Sequence, residues 1–358
     1  MDLVIFGAQG IALGTYRAIQ SLYPQRNIGC FIVSKLGGNA SKLAGIPVRE
    51  ISSYVEGLSQ VEKENIEVLI ATPENVMAEI EQLLDYFGLY CHVRLDSIRF
   101  AELMERYYLI SGQFRPLSAL PIGFHKCSCQ VFMAKFYKDR PLSQVYQRGE
   151  WIIPIQVGAA LCNERVADIL DCDGDNISVK NVNYSELTGL YWIWKNRLQK
   201  DDECQYYGLV HYRRILELSD DDLLRLVDNQ VDAVLPYPMP YEPNIEAHHL
   251  RYLSDSEWCA VLKALDELQP EYAEGFKEIL KQEYFYNYNV ILAKGNVLDD
   301  YCSWLFPLLF RIEELNDPDG TKEPNRYIGY IGETLETLYF MYNKNGLRIA
   351  HAGCRFLL

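Results

Sequence analysis

Hydrophobic and polar positions alternate in short blocks through the first third of the chain. Apolar runs that end near a glycine, a serine or a proline predict strands at residues 2–7, 28–34 and 67–73. A helical spacing of apolar positions follows the first run, at Leu13, Tyr16, Ile19 and Leu22, and is clearest again over residues 76–84. Alternating strands and helices of this length predict an α/β fold with a Rossmann-like parallel sheet.

A break in this pattern separates the first third from the rest. Residues 111–126 contain two prolines and two glycines and lack any periodicity, and a new strand begins at Cys129. Later apolar runs alternate with helical segments such as residues 183–195, and they lie at residues 153–161, 206–212, 231–237 and 288–294. We therefore predict a Rossmann-like domain over 1–118, a linker over 119–128 and a second α/β domain over 129–358.

Length, composition and charge narrow the class of protein. A chain of 358 residues exceeds what one hydrophobic core usually serves, which favours two domains. The formal net charge of −15 argues against a nucleic-acid partner and against anchoring on anionic lipid. The sequence has neither the basic start of a signal peptide nor a long apolar run. We expect a cytoplasmic protein, with peripheral contact at the inner face of the membrane if its acceptor is lipid-linked.

The first predicted turn contains several glycines. Gly7, Gln9, Gly10 and Gly14 give a spacing that differs from the dinucleotide-binding fingerprint, and the second strand ends in Val33-Ser34-Lys35 without the usual acid. The turn either places a helix N-terminus under a phosphate, with Gly7, Gln9 and Gly10 as the nucleotide-binding residues, or only connects strand to helix. Its FGAQG sequence and the later LAGIPV resemble the small Rossmann-like domains that precede bacterial sugar acyltransferases and grip sugar nucleotides.

A second group of polar residues precedes a predicted helix start in the second domain. Asn183 and Glu186 have the spacing of a capping box. A capping box does not explain the density of polar side chains just before it, at Asp175, Asn176, Ser178, Lys180 and Asn181. Such a loop beside a positive helix end suits a sugar and its diphosphate.

The strand over 206–212 ends in a cluster of basic residues. Tyr207, Leu209 and His211 alternate along the strand, and Arg213 and Arg214 follow it. Neighbouring strand side chains face opposite ways, so we expect one arginine to face the cleft at the end of the sheet. Guanidinium groups bind diphosphates in bidentate fashion. A structural salt bridge is the alternative interpretation.

Six segments together resemble a family of bacterial capsular and exopolysaccharide glycosyltransferases, long catalogued as a domain of unknown function. They read VGAAL, DNISVKNVNYSELTGLYWIWKN, GLVHYRR, YNVIL, YCSWLF and GYIGE, in the family's order, at residues 157–161, 175–196, 208–214, 288–292, 301–306 and 329–333. The last segment departs from the family pattern, because Thr334 follows the glutamate where the relatives have arginine.

The resemblance implies an A-type glycosyltransferase fold and an inverting transfer from a nucleoside-diphosphate sugar, such as the uridine diphosphate donor of galactofuranose, to a glycan or lipid-linked acceptor. Glu333 is the candidate base, with an acid that only stabilises a helix N-terminus as the alternative. The expected donor-binding residues are Val157, Gly158, Ala159, Asp175, Asn176, Lys180, Asn181, His211, Arg213 and Arg214. The expected acceptor or sugar-binding residues are Glu186, Asn287, Asn289, His248 and His249.

The sequence favours transfer without a metal. Where many A-type enzymes carry an Asp-x-Asp pair for Mn²⁺ or Mg²⁺, this chain has His211-Tyr-Arg213-Arg214, so arginine replaces the cation. Asp171, Asp173 and Asp175 leave a looser divalent site open as an alternative, although they do not form an EF-hand.

Two other classes of function compete with a transferase. A nucleotide-sugar oxidoreductase would require NAD, which the missing ribose-binding acid disfavours. A non-catalytic scaffold in a glycan-assembly complex would bind sugar nucleotides without turning them over.

Overall fold

The computed structural model describes residues 2–143, 149–198 and 204–358. Its first sheet has six strands in the order β3-β4-β2-β1-β5-β6, all parallel except the short β3. The strands and helices of this part are β1 Asp2–Phe6, α1 Gly10–Leu22, β2 Ile28–Val33, β3 Lys42–Leu43, β4 Ile46–Glu50, α2 Ile51–Val55, α3 Gln60–Glu64, β5 Ile66–Ile70, α4 Glu74–Tyr86, β6 His92–Arg94 and α5 Ser97–Ser111. The three predicted strands and both predicted helices are confirmed.

Alternation along β1 explains why this sheet is covered on both faces. Leu3 and Ile5 belong to one buried cluster with α1 and α5, whereas Val4 and Phe6 belong to another with α4. Because successive strand side chains face opposite ways, a strand that is apolar throughout needs helices on both sides.

The second sheet is mixed and larger. Its main path is β16-β12-β15-β10-β7-β8-β9, in which β15 runs antiparallel to both neighbours, and β11 and β17 extend it from β10. Its strands are β7 Cys129–Lys135, β8 Ile152–Gln156, β9 Ile169–Leu170, β10 Tyr206–His211, β11 Arg214–Leu216, β12 Ala233–Pro236, β15 Ile291–Lys294, β16 Ile349–Ala352 and β17 Cys354–Phe356. Two short strands, β13 Met239–Pro240 and β14 Tyr284–Phe285, pair with each other in a separate antiparallel sheet. The strands predicted within the second α/β domain are confirmed.

Helices surround this sheet and pack many aromatic side chains against it. They are α6 Asn181–Tyr184, α7 Leu187–Ile193, α8 Asp220–Asp228, α9 Ile245–His249, α10 Asp255–Leu268, α11 Pro270–Ile279, α12 Gly295–Asn316 and α13 Tyr327–Tyr342. The largest core cluster lies between the sheet and helices α7, α10, α12 and α13. Among the described helices, none combines the length and apolarity that crossing a bilayer requires.

The helix predicted over 183–195 differs in detail. Ser185 has a left-handed backbone (φ 51°), which separates α6 from α7. The predicted capping box is wrong, because Glu186 makes no side-chain cap and Oδ1 of Asn183 accepts from the backbone N–H of Asn325 at 3.2 Å. Both side chains are thus engaged by distant segments, which a local sequence pattern does not reveal.

The two sheets belong to units that pack against each other. Arg17 on α1 donates to the carboxylate of Glu283 at 2.6 Å. A Cβ atom on Gly10 would lie 3.2 Å from the carbonyl oxygen of Pro240, so glycine at this position permits close contact between the N-terminus of α1 and β13. This contact brings the first turn of the chain beside the second sheet.

Candidate active site

A cleft of about 540 Å³ opens where three parallel strands of the second sheet end. The strands β7, β8 and β10 all point their carboxyl ends toward it, which is where open α/β sheets usually bind ligands. Val157, Asn181, Glu186 and His211, all predicted from the sequence, line the cleft.

Glu186 and His211 form the polar centre of this cleft. Nε2 of His211 lies 3.8 Å from Oε1 of Glu186. The same carboxylate oxygen accepts from Nδ2 of Asn289 at 2.6 Å. Burial lowers the pKa of His211, and the neighbouring Glu186 only partly opposes this, so the imidazole is neutral near pH 7.

Glu333 lies beside this pair. Burial, followed by the nearby Glu186 carboxylate, raises the pKa of Glu333 to about 8. A backbone hydrogen bond to Tyr288 and the charges of Arg326 and Arg214 oppose that rise. A carboxyl group that titrates near neutral pH is suited to proton transfer.

The position of Glu333 along its helix corrects one sequence interpretation. Helix α13 begins at Tyr327, so Glu333 lies in its second turn and not at its opening. The alternative in which this acid only serves the helix dipole is disfavoured, because that effect fades within the first turn.

The glycines near Glu333 also have a different role from the expected one. A Cβ atom on Gly332 would lie 2.6 Å from Leu187 and 3.0 Å from Asn289, and one on Gly329 would lie 3.2 Å from Ser185. These glycines allow α13 to pack against the α6–α7 segment. This packing explains why glycine is needed at both positions, and close approach of a substrate is not required to explain it.

A strained loop connects the groups of the site. Tyr288 (φ 80°) and Asn289 (φ 48°) are consecutive non-glycine residues with left-handed backbones. Both His211 and Glu333 hydrogen-bond to the backbone of Tyr288. Such strain persists where the surrounding structure fixes it, and it is frequent at functional sites.

The two asparagines predicted to bind sugar both precede β15 instead of flanking it. Asn289 is 2% exposed, and its amide donates to Glu186 and to the carbonyl of Gly329. Asn287 accepts a hydrogen bond from the hydroxyl of Tyr241 at 3.2 Å. Both side chains are internal to the protein, and a sugar-binding role for them stays a prediction.

The basic residues are distributed differently from the sequence expectation. The guanidinium of Arg214 lies 3.8 Å from the ring centroid of Phe356 and 4.6 Å from that of Tyr288. Arg213 lies over the ring of Tyr212. The arginine that lines the cleft is Arg326, which the sequence analysis did not single out.

Asp139 and Tyr212 also line the cleft and escaped the sequence analysis. Burial raises the pKa of Asp139 to about 6, although its carboxylate accepts from the backbone N–H of Phe136 at 2.7 Å. Tyr212 lies within the GLVHYRR segment, where its neighbours were singled out instead, whereas Asp139 lies outside all six segments, so the sequence offers no signal for it.

The predicted donor loop is largely engaged in internal hydrogen bonds. Asp171 is fully buried, and its carboxylate accepts from the backbone N–H groups of Gly158 at 2.8 Å and Ala159 at 3.0 Å. It also accepts from the hydroxyl of Ser178. These bonds occupy the Asp171 carboxylate, and no group of three metal-binding side chains occurs within residues 2–143, 149–198 and 204–358.

Other members of that loop have partners as well. Lys180 forms a 2.7 Å ion pair with Glu313 on α12. The amide of Asn176 donates to the carbonyls of Cys172 and Gly174. Asp175 and Asp173 are exposed, and Asp175 accepts from the hydroxyl of Tyr191 at 3.2 Å. Their donor-binding or metal-binding roles stay predictions.

The histidine pair lies in a helix and not in a loop as expected. His248 and His249 are on α9 and are 8% and 4% exposed. His248 stacks on Tyr241 with ring centroids 3.6 Å apart, and His249 contacts the hydroxyl of Thr334. Burial lowers their pKa values to about 4 and about 3, so both are neutral near pH 7.

The glycine turn of the first unit has a structural explanation. Gly7 has φ 132°, and a Cβ atom there would lie 2.4 Å from the carbonyl oxygen of Ala71. Gly10 permits the contact with Pro240 described above. Nε2 of Gln9 donates to Oδ1 of Asn39 at 2.6 Å. A nucleotide at this turn stays a prediction.

Residues 141–344, more than half of the chain, match a family described as "Domain of unknown function (DUF4422)". The chain belongs to the DUF4422 family. The cleft residues Glu186, His211 and Arg326 lie within this DUF4422 match, and so does Glu333. No curated protein sequence matches the chain significantly.

One solved structure shares the fold of a large part of this DUF4422 protein. The apo structure of the WbbM bifunctional glycosyltransferase superposes with a TM-score of 0.55 at 23% identity, over 64% of this chain and 45% of that one. This DUF4422 protein therefore shares the fold of part of a glycosyltransferase and spans less than half of its length. Core-mannan synthase A from Aspergillus fumigatus, in a Mn/GDP form, gives a TM-score of 0.19 at 10% identity over 92% and 68% of the two chains, which is too low to indicate a shared fold.

Proposed function

We propose that the protein is an inverting glycosyltransferase that moves a sugar from a nucleoside-diphosphate donor to a glycan acceptor. The observation that carries the proposal is the meeting of Glu333, Glu186 and His211 at the end of β10, in a fold shared with part of a solved glycosyltransferase. A cleft at strand ends that holds a titratable acid is the arrangement such a reaction requires.

The chemistry assigns one role to Glu333. Its ionised carboxylate takes the proton of an acceptor hydroxyl, and the hydroxyl oxygen forms a bond to the anomeric carbon. The bond from that carbon to the diphosphate oxygen breaks, and the nucleoside diphosphate leaves with the electron pair. The neighbouring Glu186 contributes to the raised pKa of Glu333, which strengthens Glu333 as a base.

A cationic group must stabilise the departing diphosphate. Arg326 lines the cleft, is exposed and is close enough to affect the pKa of both His211 and Glu333. We assign it the diphosphate contact, together with Arg213 and Arg214 from the sequence prediction. Mn²⁺ or Mg²⁺ is the alternative, and chelation separates the two.

The finer assignments rest on the sequence resemblance. The motif order favours a uridine diphosphate sugar, with galactofuranose as the candidate sugar, and a growing bacterial surface polysaccharide as acceptor. Such an acceptor places the reaction at the cytoplasmic face of the membrane. If the first unit binds a nucleotide at Gly7, Gln9 and Gly10, that nucleotide site is separate from the donor cleft.

The test is a panel of nucleoside-diphosphate sugars supplied with glycan and lipid-linked acceptors, with release of nucleoside diphosphate as the readout. We expect at least one uridine diphosphate sugar to be consumed and Glu333→Gln to lose about 10²-fold to 10⁴-fold in turnover. Glu271→Gln, an exposed glutamate on α11, is the matched control. Inactivity with every donor would refute the proposal. Loss of activity in EDTA would show that a metal ion, and not arginine, stabilises the departing diphosphate.

A further inference from the structure

A second cleft, of about 640 Å³, lies between the first unit and the second sheet. One wall is the turn after β1 with Gln9 and the neighbouring Asn39, and the other includes Tyr241, Tyr252 and Tyr288. Clefts between packed units, with aromatic walls and a few polar groups, are frequent ligand sites. The proposed transfer reaction leaves this cleft without a role.

Residues that neighbour Glu333 line both clefts. Glu186 and Arg326 affect the pKa of Glu333 and line the first cleft. Tyr288, whose backbone hydrogen-bonds to Glu333, lines the second cleft. Tyr241 lines it too, and its pKa is raised well above the usual value by burial, with Tyr288 and Glu333 adding to the rise. Glu333 is thus linked to the first cleft through Glu186 and Arg326 and to the second through Tyr288, a position suited to a base that acts between donor and acceptor.

The lining of the second cleft suits a carbohydrate. Tyr252 is 54% exposed, and its ring centroid lies 5.8 Å from that of Tyr330, one turn before Glu333 on α13. Tyrosine rings present an apolar face to the C–H side of a sugar and a hydroxyl to its polar edge. Thr72 also lines this cleft, and its buried hydroxyl has no hydrogen-bond partner among the described residues.

Charge at the second cleft excludes a general cation site. Among the described residues that line it, the charged one is Arg251, which donates to the side chain of Gln9 and to the carbonyl of Gly38. Because its partners are uncharged, its positive charge is not neutralised by these contacts. The positive charge of Arg251 therefore makes this cleft more favourable for neutral or acidic sugars than for cations.

We propose that the second cleft is the acceptor subsite, so the N-terminal unit supplies one wall of the glycan-binding site. The proposal rests on the proposed function and deepens it, because it locates the acceptor. It also gives the first unit a role that does not require a nucleotide at its glycine turn.

The experiment uses the full chain, the donor found active in the panel, and alkyl glycosides as acceptor probes. Tyr252→Ala should raise the acceptor KM at least tenfold, with little change in kcat at saturating acceptor. Tyr252→Phe should restore most of the affinity because it keeps the ring. Affinity for uridine diphosphate, measured by calorimetry, should be unchanged in both variants.

Two matched control variants are in the N-terminal unit. Tyr86→Ala removes a tyrosine that is 82% exposed on α4, away from the cleft, and should leave the acceptor KM unchanged. Gln9→Ala should raise the acceptor KM, whereas Gln60→Ala on α3 should not. An unchanged acceptor KM in both Tyr252→Ala and Gln9→Ala would overturn the proposal, as would a rise confined to the donor KM.

Failure of the proposed function has a different signature. In that case the wild-type protein releases no nucleotide from any donor, and saturation-transfer NMR with the alkyl glycosides alone decides the subsite. Binding to the wild type that is lost in Tyr252→Ala supports a glycan site at the second cleft. Absence of saturation transfer to every glycoside overturns it.

Discussion

Nδ2 of Asn289 donates to Oε1 of Glu186 at 2.6 Å, and Nε2 of His211 lies 3.8 Å from that same oxygen. This oxygen therefore joins the loop before β15, the start of α7 and the end of β10. Asn289 is the donor that offsets the burial of the carboxylate, since Glu186 is 8% exposed. The arrangement leads to the first prediction.

Asn289→Asp keeps the shape of the side chain and its tolerance of a left-handed backbone, but it replaces the donor with a second carboxylate. We expect the free energy of unfolding at pH 7 to fall by roughly 1–3 kcal/mol, because a hydrogen bond to a buried charged group is lost. Urea denaturation measures this. Asn345→Asp, at an exposed position, serves as the control, and equal effects would show that the bond to Glu186 contributes nothing.

The raised pKa of Glu333 predicts the pH dependence of turnover. A base must be ionised, so with a pKa of about 8 the kcat/KM should fall about tenfold for each pH unit below 8 and reach a plateau above it. Initial rates from pH 6 to pH 9.5, at about constant ionic strength, give the profile. Residual activity of Glu333→Gln should lack this step, and an unchanged step in that variant would assign the base elsewhere.

Glu336 lies on α13, the same helix as Glu333, and leads to a prediction about the pH dependence of stability. Both of its carboxylate oxygens are buried without a partner, and burial raises its pKa well above the usual value, with Glu333 and Glu186 adding to the rise. The folded state therefore keeps the Glu336 proton that the unfolded chain releases near pH 4.5.

The sign of that effect follows from linkage. The stabilising contribution is complete below the unfolded pKa and is lost as pH rises toward the folded pKa. Glu336→Gln keeps a neutral group at every pH, so we expect its Tm to exceed that of the wild type by a margin that grows from pH 5 to pH 8. Calorimetric scans at both pH values measure the margin, and one that shrinks with pH would contradict the assignment.

Substitution of Asp171 distinguishes a structural role of its carboxylate from a metal-binding role. Its carboxylate accepts from Gly158, Ala159 and Ser178, so Asp171→Ala should lower the free energy of unfolding by about 2–4 kcal/mol. Asp173→Ala, at an exposed position, should have little effect. If Asp171 instead binds a cation, millimolar Mn²⁺ would raise the Tm of the wild type but not that of Asp171→Ala.

Arg326 provides the prediction on donor binding. Arg326→Ala should raise the donor KM about tenfold or more, because a charge-assisted contact to the diphosphate is lost. Arg106→Ala, at an exposed arginine on α5, is the control. Arg213→Ala in the same assay tests the sequence prediction. If only Arg213→Ala raises the donor KM, the diphosphate contact belongs to the end of β10 and not to Arg326.

Several features of the protein follow from local sequence alone. The strands β1, β2, β5, β7 and β10 were predictable because their apolar periodicity is a property of consecutive residues. The ordered motifs from VGAAL to GYIGE were sufficient to indicate the family. The strand predicted over 206–212 was likewise recognisable from the polar cluster that follows it, and β10 ends one residue earlier, at His211.

Tertiary structure decided which polar groups are free and which are engaged. Several polar groups of the predicted donor loop bind other parts of the protein: Gly158 and Ala159 donate to Asp171, and Lys180 pairs with Glu313. A high density of polar residues in a loop therefore does not by itself show which groups are available to a ligand. Arg326 lines the cleft because the start of α13 packs beside Ser185, 141 positions away.

What the sequence by itself determined is thus the order of strands and helices, the family and three of the central side chains, Glu186, His211 and Glu333. What only the tertiary structure decided is that these three meet around one loop, and that the N-terminal unit forms a wall of a second cleft beside them. The physical reason is that periodicity is encoded between neighbouring residues, whereas hydrogen-bond partners and clefts depend on packing between segments far apart in the chain.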